Sequence, residues 1–287
     1  MWRWTGWCAL GLWLATRGFA AADVGMNPPS PAPEQPPFAG DSRVAPFSSE
    51  EELLQFLRTA DIVSRQEIPT GINRPLKLRL EQDGIRLNAI LRTVDRQEKS
   101  FRAHERQILQ FHDSYAYEVA AYRLSRLLGI DSVPAAVLRK VDGRPASIQV
   151  WVEAAKTEED RRQAGDSPPR SLEWVRQWQV LRLFDALVDN FDRNAGNILI
   201  DPAWKLWLVD HTRSFTISRR LYRPERIRLC ERGLWDQVRA LDRETVSEHL
   251  GEVLKPPQIT ALMKRRDNLV RHLEALIVER GEERVLF

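Results

Sequence analysis

Asp192, Asn197 and Asp210 stand out because an acid, an amide and a second acid punctuate otherwise apolar sequence. They fall within FDALVDNFDRNAGNILIDPAWKLWLVDHTRSF, residues 184–215. A helical stretch delivers Asp192 into a polar loop with Arg193, Asn194, Gly196 and Asn197. Asp210 follows Asn197 by 13 residues, at the end of the second strand of a short apolar hairpin. Phosphoryl transfer needs this inventory. One carboxylate orients or deprotonates the attacking hydroxyl, while an amide oxygen and a second carboxylate hold a divalent cation on the phosphates. An Asp/Asn-rich turn with a capping carboxylate explains Asp192 or Asn197 alone. It does not explain three polar residues set between apolar strands.

These residues need elements to position them. Ser48 to Leu57 reads as a short helix with Ser49 as its N-cap and Glu52 three residues on. Leu76 to Leu80 and Ile85 to Thr93 read as strands about an Asp83-Gly84 turn, with Pro69-Thr70-Gly71 upstream as a loop able to approach a ligand. Ser114 to Leu128 reads as a helix, because Tyr117, Ala121, Leu124 and Leu128 share one face and Gly129 stops it. Val133 to Leu138 and Ser147 to Val152 read as strands about Asp142-Gly143. Trp174, Trp178, Leu181, Phe184 and Val188 mark a long helix, the two tryptophans being core residues. Ile198 to Ile200 and Leu206 to Val209 pair about Asp201-Pro202, and Pro257 to Glu279 is helical. The expected fold is α+β and bilobal, with a sheet-plus-helix lobe over residues 48–157 and a mainly helical lobe over 158–287. A cleft between two such lobes is a common ligand site.

Composition sets the outer limits. The 287 residues carry 43 Lys plus Arg against 40 Asp plus Glu, a formal net charge of +3, with 43% hydrophobic and 29% charged residues. No run of 18 apolar residues exists, so a polytopic membrane protein is excluded. Two cysteines exclude a disulfide scaffold. Five histidines without paired ligand spacing argue against a zinc site, and the absence of G-x-S-x-G against that class of hydrolase. A charge near neutral gives no reason to expect a nucleic-acid partner. Residues 1–22, with Arg3, an apolar run from Trp4 to Thr16 and the pair Ala20 and Ala22, read as an export signal. Residues 23–47 follow as a Pro-rich linker. Cleavage after Ala22 places the body in a periplasmic or extracellular space with Cys230 as its lone cysteine, a buried apolar residue. An uncleaved N-terminus is the one expected route to a membrane, and without a real signal the chain is cytoplasmic. His211 to Arg228 holds six Arg and one acid. That cluster, including Arg213, Arg219, Arg220 and Arg223, suits an acidic or phosphorylated acceptor, or else forms a solvated loop.

DRNAGNILID and LVDHTRSF resemble the catalytic and metal-binding blocks of atypical kinases. That group includes phosphatidylinositol 3-/4-kinases, HipA-type kinases and secretory-pathway kinases acting on casein-like substrates. YEVAAYRLSRLLGIDSVP, Tyr117 to Pro134, resembles the secretory group's αC block. The resemblance runs from Ile68 to about Phe215. It implies a bilobal protein-kinase-like fold, ATP and Mg²⁺ or Mn²⁺ as cofactors, and transfer of the γ-phosphoryl to a hydroxyl. Protein Ser/Thr is the favoured acceptor, with lipid or carbohydrate as the alternative. It implies that Asp192 is the catalytic carboxylate, that Asn197 and Asp210 bind metal, and that Glu118 pairs with a basic residue on the third strand. Thr70 and Gly71 would cover the nucleotide, and Gln149, Val152 and Glu153 would belong to the hinge that meets adenine. Arg193 would brace the loop.

One position departs from the pattern. The strand NAILRTVD places Arg92 where the group carries a phosphate-binding Lys. Arginine keeps the charge but not the size or flexibility, so the exchange is not neutral. Either the site works with Arg92, or the chain is a pseudokinase, a kinase-fold binding module without turnover. Lys77 could substitute only in a different strand register. No G-x-G-x-x-G is present, unlike ordinary protein kinases.

Overall fold

The short helix α1 (Glu50–Thr59) begins where Ser49 accepts a hydrogen bond from the Glu52 N–H, with three glutamates in its first turn facing the helix dipole. It comes from a computed structural model that describes residues 47–68, 74–103 and 106–287. The export signal, the linker up to residue 46 and the Pro69–Gly71 loop with Thr70 lie outside the described residues. All described residues belong to one compact unit.

Five antiparallel strands form the main sheet, in the order β1 (Asp61–Glu67), β2 (Leu76–Gln82), β3 (Ile85–Arg92), β7 (Arg144–Val150) and β6 (Ala136–Val141). Asp83-Gly84 and Asp142-Gly143 all have positive φ, the geometry of two-residue hairpin loops. Alternation along β3 fixes its two faces. Leu87, Ala89 and Leu91 are buried in one cluster with Leu53, Phe56 and Leu57 of α1. Ile90 and Arg92 consequently point to the other face, toward the cleft.

Several boundaries differ from the sequence expectation. The Asp142-Gly143 loop is so tight that Val141 pairs with Arg144, so β6 and β7 run up to it rather than ending at Leu138 and starting at Ser147. Gln149 is therefore a strand residue, and Val152 lies beyond the strand end. Ser114 is not helical. It ends β5 (Arg106–Ser114), pairs with Asp95 of β4 (Asp95–Ala103), and donates its N–H to the Thr212 carbonyl at 2.8 Å. Helix α2 (Ala116–Leu127) starts two residues later, and Gly129 with φ 68° follows its end.

The helical lobe is built on α4 (Leu172–Val188) and the 25-residue α7 (Pro256–Arg280), whose Leu262, Leu269 and Leu273 share a core with Leu183, Phe184 and Leu187. A small sheet, β8 (Lys156–Thr157), β9 (Ile198–Ile200) and β10 (Leu206–Leu208), lies beside α3 (Glu158–Gln163). Helices α5 (Arg232–Ala240), α6 (Arg243–Leu250) and α8 (Glu282–Val285) complete it. Trp174 and Trp178 pack against this core, edge to face with each other. Cys230 is buried, which pushes its thiol up to about 12 and leaves it inert. Among the described residues no helix is long and apolar enough to cross a membrane.

Candidate active site

Arg92, Asp192, Asn197 and Asp210, far apart in sequence, line one cleft of about 500 Å³. Gln149 and Val152 line it too, with Ile68 and Pro75 on either side of the undescribed loop. Glu153 does not line it; it accepts a hydrogen bond from Asn88. Lys77 pairs with Ile90, and its ammonium sits 4.2 Å from the Trp151 ring, so it stands by the expected hinge rather than beside Glu118.

The loop that presents Asp192 begins at Asp189, which ends α4 in a left-handed conformation. Asn194 then accepts a hydrogen bond from Gly196 and donates to the Asp192 carbonyl, closing a 3₁₀ turn at Ala195–Asn197. Arg193 holds this loop from behind. It bonds both carboxylate oxygens of Asp185 and donates to the carbonyls of Asn197 and Val209 at 2.6 Å each. A further contact of 3.0 Å reaches His211 Nε2, and since a guanidinium only donates, that nitrogen accepts and Nδ1 carries the hydrogen. Arg193→Met is expected to destabilise the fold by about 1–3 kcal/mol, because Asp185 and two carbonyls lose their donor. Urea unfolding measures this, and an unmoved midpoint would remove Arg193 as the brace.

Glu118 on α2 is fully buried. It sits 3.4 Å from Arg92 Nε and accepts the His211 N–H at 2.9 Å. Burial alone pushes its pKa up, but the charge of Arg92 and the hydrogen bonds from His211 outweigh this and hold the carboxyl well below the usual range. Gln149 turns its amide inward, toward Glu118 and the Pro134 carbonyl, so its side chain belongs to this buried network. Arg92 Nε also stands 3.9 Å from Asp210. Its Nη1 is buried without a hydrogen-bond partner. Asp210 has φ 59°, a strained conformation of the kind that collects at functional sites.

Sequence reasoning missed the hairpin β4–β5, which touches the Asp192 loop directly at two points and reaches it through Arg213 at a third. Arg106 forms a bidentate pair with Asp189 at 3.0 and 3.1 Å, Phe111 packs edge to face on Phe191, and buried Asp113 accepts from Arg213 Nε at 2.8 Å. Arg213 then donates through Nη1 to Asp192 Oδ2 at 3.1 Å. Thr157, Glu159 and Asp160 also line the cleft and were not foreseen. Burial raises the Asp192 carboxyl above its ordinary value, Arg213 draws it down, and the charges of Asp210 and Asp113 push it up. A raised folded value means that Asp192 favours the fold when protonated, and this contribution is lost as pH rises through that value. A carbon-detected NMR titration should place Asp192 above the ordinary 3.8, and Arg213→Met should move it higher still. A midpoint at or below the ordinary value would contradict this electrostatic account.

The cleft fits a nucleotide with metal in one respect and restricts it in another. The orphaned Arg92 Nη1 is a donor that a phosphate oxygen would satisfy. Among the described residues no group of three or more His, Cys, Asp or Glu is placed to hold a metal alone. An ion between Asn197 and Asp210 would complete its shell with phosphate oxygens and water, which is the usual habit of Mg²⁺.

The basic segment does not form one cluster. Arg213 lines this cleft, Arg223 and Arg226 line a separate cavity, and Arg219 and Arg220 are exposed and line neither. No family model matches the chain, and no curated protein matches it. Solved structures do. The structure of hydra Fam20 with sugar superposes with a TM-score of 0.65 at 13% identity, over 84% of this chain and 93% of that one. The Golgi casein kinase matches with a TM-score of 0.61 at 13% identity, over 84% of this chain and 78% of that one. The same kinase with Mn/ADP bound matches at 0.55 and 14% identity, over 82% and 78%. The chain therefore has the bilobal α+β fold of atypical kinases.

Proposed function

We propose that the chain is an atypical kinase that moves the γ-phosphoryl of ATP to a hydroxyl of an acceptor, with protein Ser or Thr favoured. The observation that carries this reading is the convergence of Arg92, Asp192, Asn197 and Asp210 on one cleft, with a buried unpartnered guanidinium nitrogen among them. Bound there, ATP supplies the phosphoryl group, and Mg²⁺ or Mn²⁺ neutralises the phosphate charge; a neighbour's Mn/ADP complex supports that choice. Asn197 and Asp210 are the residues to hold the ion, and Arg92 the one to meet the phosphates. Arg213 occupies Asp192 Oδ2 and leaves Oδ1 to take the proton of the acceptor hydroxyl as its oxygen bonds to the γ-phosphorus and the bond from that phosphorus to the β-phosphate oxygen breaks, with ADP leaving. Glu118 and His211 keep Arg92 and the Asp210 strand end in register. Thr70 and Gly71 would cover the nucleotide, and Trp151 and Val152 would present backbone to adenine. We also read the chain as exported through residues 1–22, with the apolar run and Ala20 and Ala22 as support.

Label transfer from γ-labelled ATP to dephosphorylated casein, with Mn²⁺ or Mg²⁺, tests this directly. Labelled Ser or Thr, absent in Asp192→Asn, is the expected result. ATP bound without transfer or hydrolysis would favour a binding module. One observation favours that second reading: Arg92 Nε lies 3.4 Å from Glu118 and 3.9 Å from Asp210, so its guanidinium already engages the metal-side carboxylate. Transfer to a sugar and not to casein would favour a carbohydrate acceptor, a class supported by the neighbour solved with sugar.

A further inference from the structure

We propose that the cavity on the far side of the Asp192 loop is a second anion site, which takes a phosphate group, free or esterified, between Arg182, Arg223 and Arg226. The cavity is about 1000 Å³, and its wall includes Phe191, Arg193, Asn194 and Ala195 of the loop itself. Asn194 lines both this cavity and the cleft, so the two sites are separated by one short loop.

Charge accounting singles the place out. Six guanidinium groups line the cavity, from Arg106, Arg162, Arg182, Arg193, Arg223 and Arg226. Three already have carboxylate partners: Arg106 on Asp189, Arg162 on Glu158 and Arg193 on Asp185. The one acid in the wall, Asp185, is already engaged by Arg193. Among the described residues no carboxylate pairs with Arg182, Arg223 or Arg226, which leaves three uncompensated positive charges in one concavity. Arg182 is half-buried on α4, and burial together with Arg226 and Arg228 depresses its basicity, as expected for cations held close without an anion.

Arg223 and Arg226 are exposed, and of the three Arg223 is also supported by an aromatic ring. Tyr222 has the Arg106 guanidinium 4.7 Å from its ring centre and the Arg223 guanidinium 4.8 Å from it, so the ring props both. Planar guanidinium forks on a fixed support match tetrahedral oxyanions, and such like charges repel unless an anion lies between them. A site so placed could anchor an acceptor whose hydroxyl reaches Asp192, or hold free phosphate as an effector. Anion binding in this cavity does not depend on turnover in the cleft.

Calorimetric titration of the whole chain with inorganic phosphate, at constant ionic strength, is the test, with Arg182→Gln/Arg226→Gln and Arg92→Lys as variants. Phosphate should bind the wild type, and its affinity should fall roughly tenfold or more in the double variant while Arg92→Lys binds as before. Without ligand, the double variant should melt no lower than wild type, since repulsion is removed and no ion pair is lost. Phosphoserine binding as well as phosphate would assign an esterified group, and phosphate alone a free effector; either supports the site. No phosphate binding, or binding lost in Arg92→Lys and kept in the double variant, would overturn it.

Discussion

Asp192→Asn is expected to cut phosphoryl transfer by about a thousandfold while nucleotide binding persists. The substitution preserves size and keeps an oxygen that can accept from Arg213 Nη1, so the loop pinned by Arg193 and Asn194 should not move. What disappears is the one half-buried carboxylate positioned to take the acceptor's proton. The charge of Asp210 disfavours the Asp192 carboxylate, so a neutral residue at 192 removes a like charge from the cleft and should leave ATP affinity unchanged or slightly tighter. Single-turnover rates and equilibrium binding, measured on the same sample, separate the two effects. A fall in binding equal to the fall in rate would mean that Asp192 serves the nucleotide rather than the acceptor.

Arg92→Met carries the largest expected cost in stability, about 3–5 kcal/mol, because it strands the fully buried Glu118. The remaining partners of that carboxylate are the His211 backbone and ring N–H groups and the Gln149 amide, none of them a fixed charge. Loss of ATP binding should accompany it. Arg92→Lys should cost far less, since an ammonium of similar reach can still face Glu118. The Lys variant also decides between the two functional readings. A large gain in turnover would mark the native guanidinium, poised 3.9 Å from Asp210, as a brake, whereas a loss would show a site adapted to arginine. Chemical denaturation of both variants measures the stability difference. Equal, small costs would mean that Glu118 relies on His211 rather than Arg92.

The meeting of Asp192, Asn197 and Asp210 in one cleft was legible because a turn or cap explains one such residue but not three set between apolar strands, and the Asp-Gly turns marked two hairpins of the main sheet. Strand β1 was not legible, because DIVSRQE is a largely exposed edge strand with no buried alternation. The β4–β5 hairpin escaped for the same reason, since its strands are mostly polar and joined by cross-strand pairing. With it went Arg106 and Asp113, which reach the loop only through the fold. The basic run from His211 to Arg228 looked like one surface, yet the backbone turns at Phe215 and Arg223, both with positive φ, and its arginines part company. Arg182 joins Arg223 and Arg226 from a helix some 40 residues earlier, a meeting that no local pattern announces.

Titration of ATP into the full chain, with and without Mg²⁺ or Mn²⁺, for wild type and Asp210→Ala, puts the cleft to its most direct trial. Binding that requires the metal, and that Asp210→Ala weakens by about tenfold or more, is the predicted result. Failure of ATP to bind with either metal, or binding indifferent to Asp210→Ala, would contradict the nucleotide and metal roles assigned to Arg92, Asn197 and Asp210.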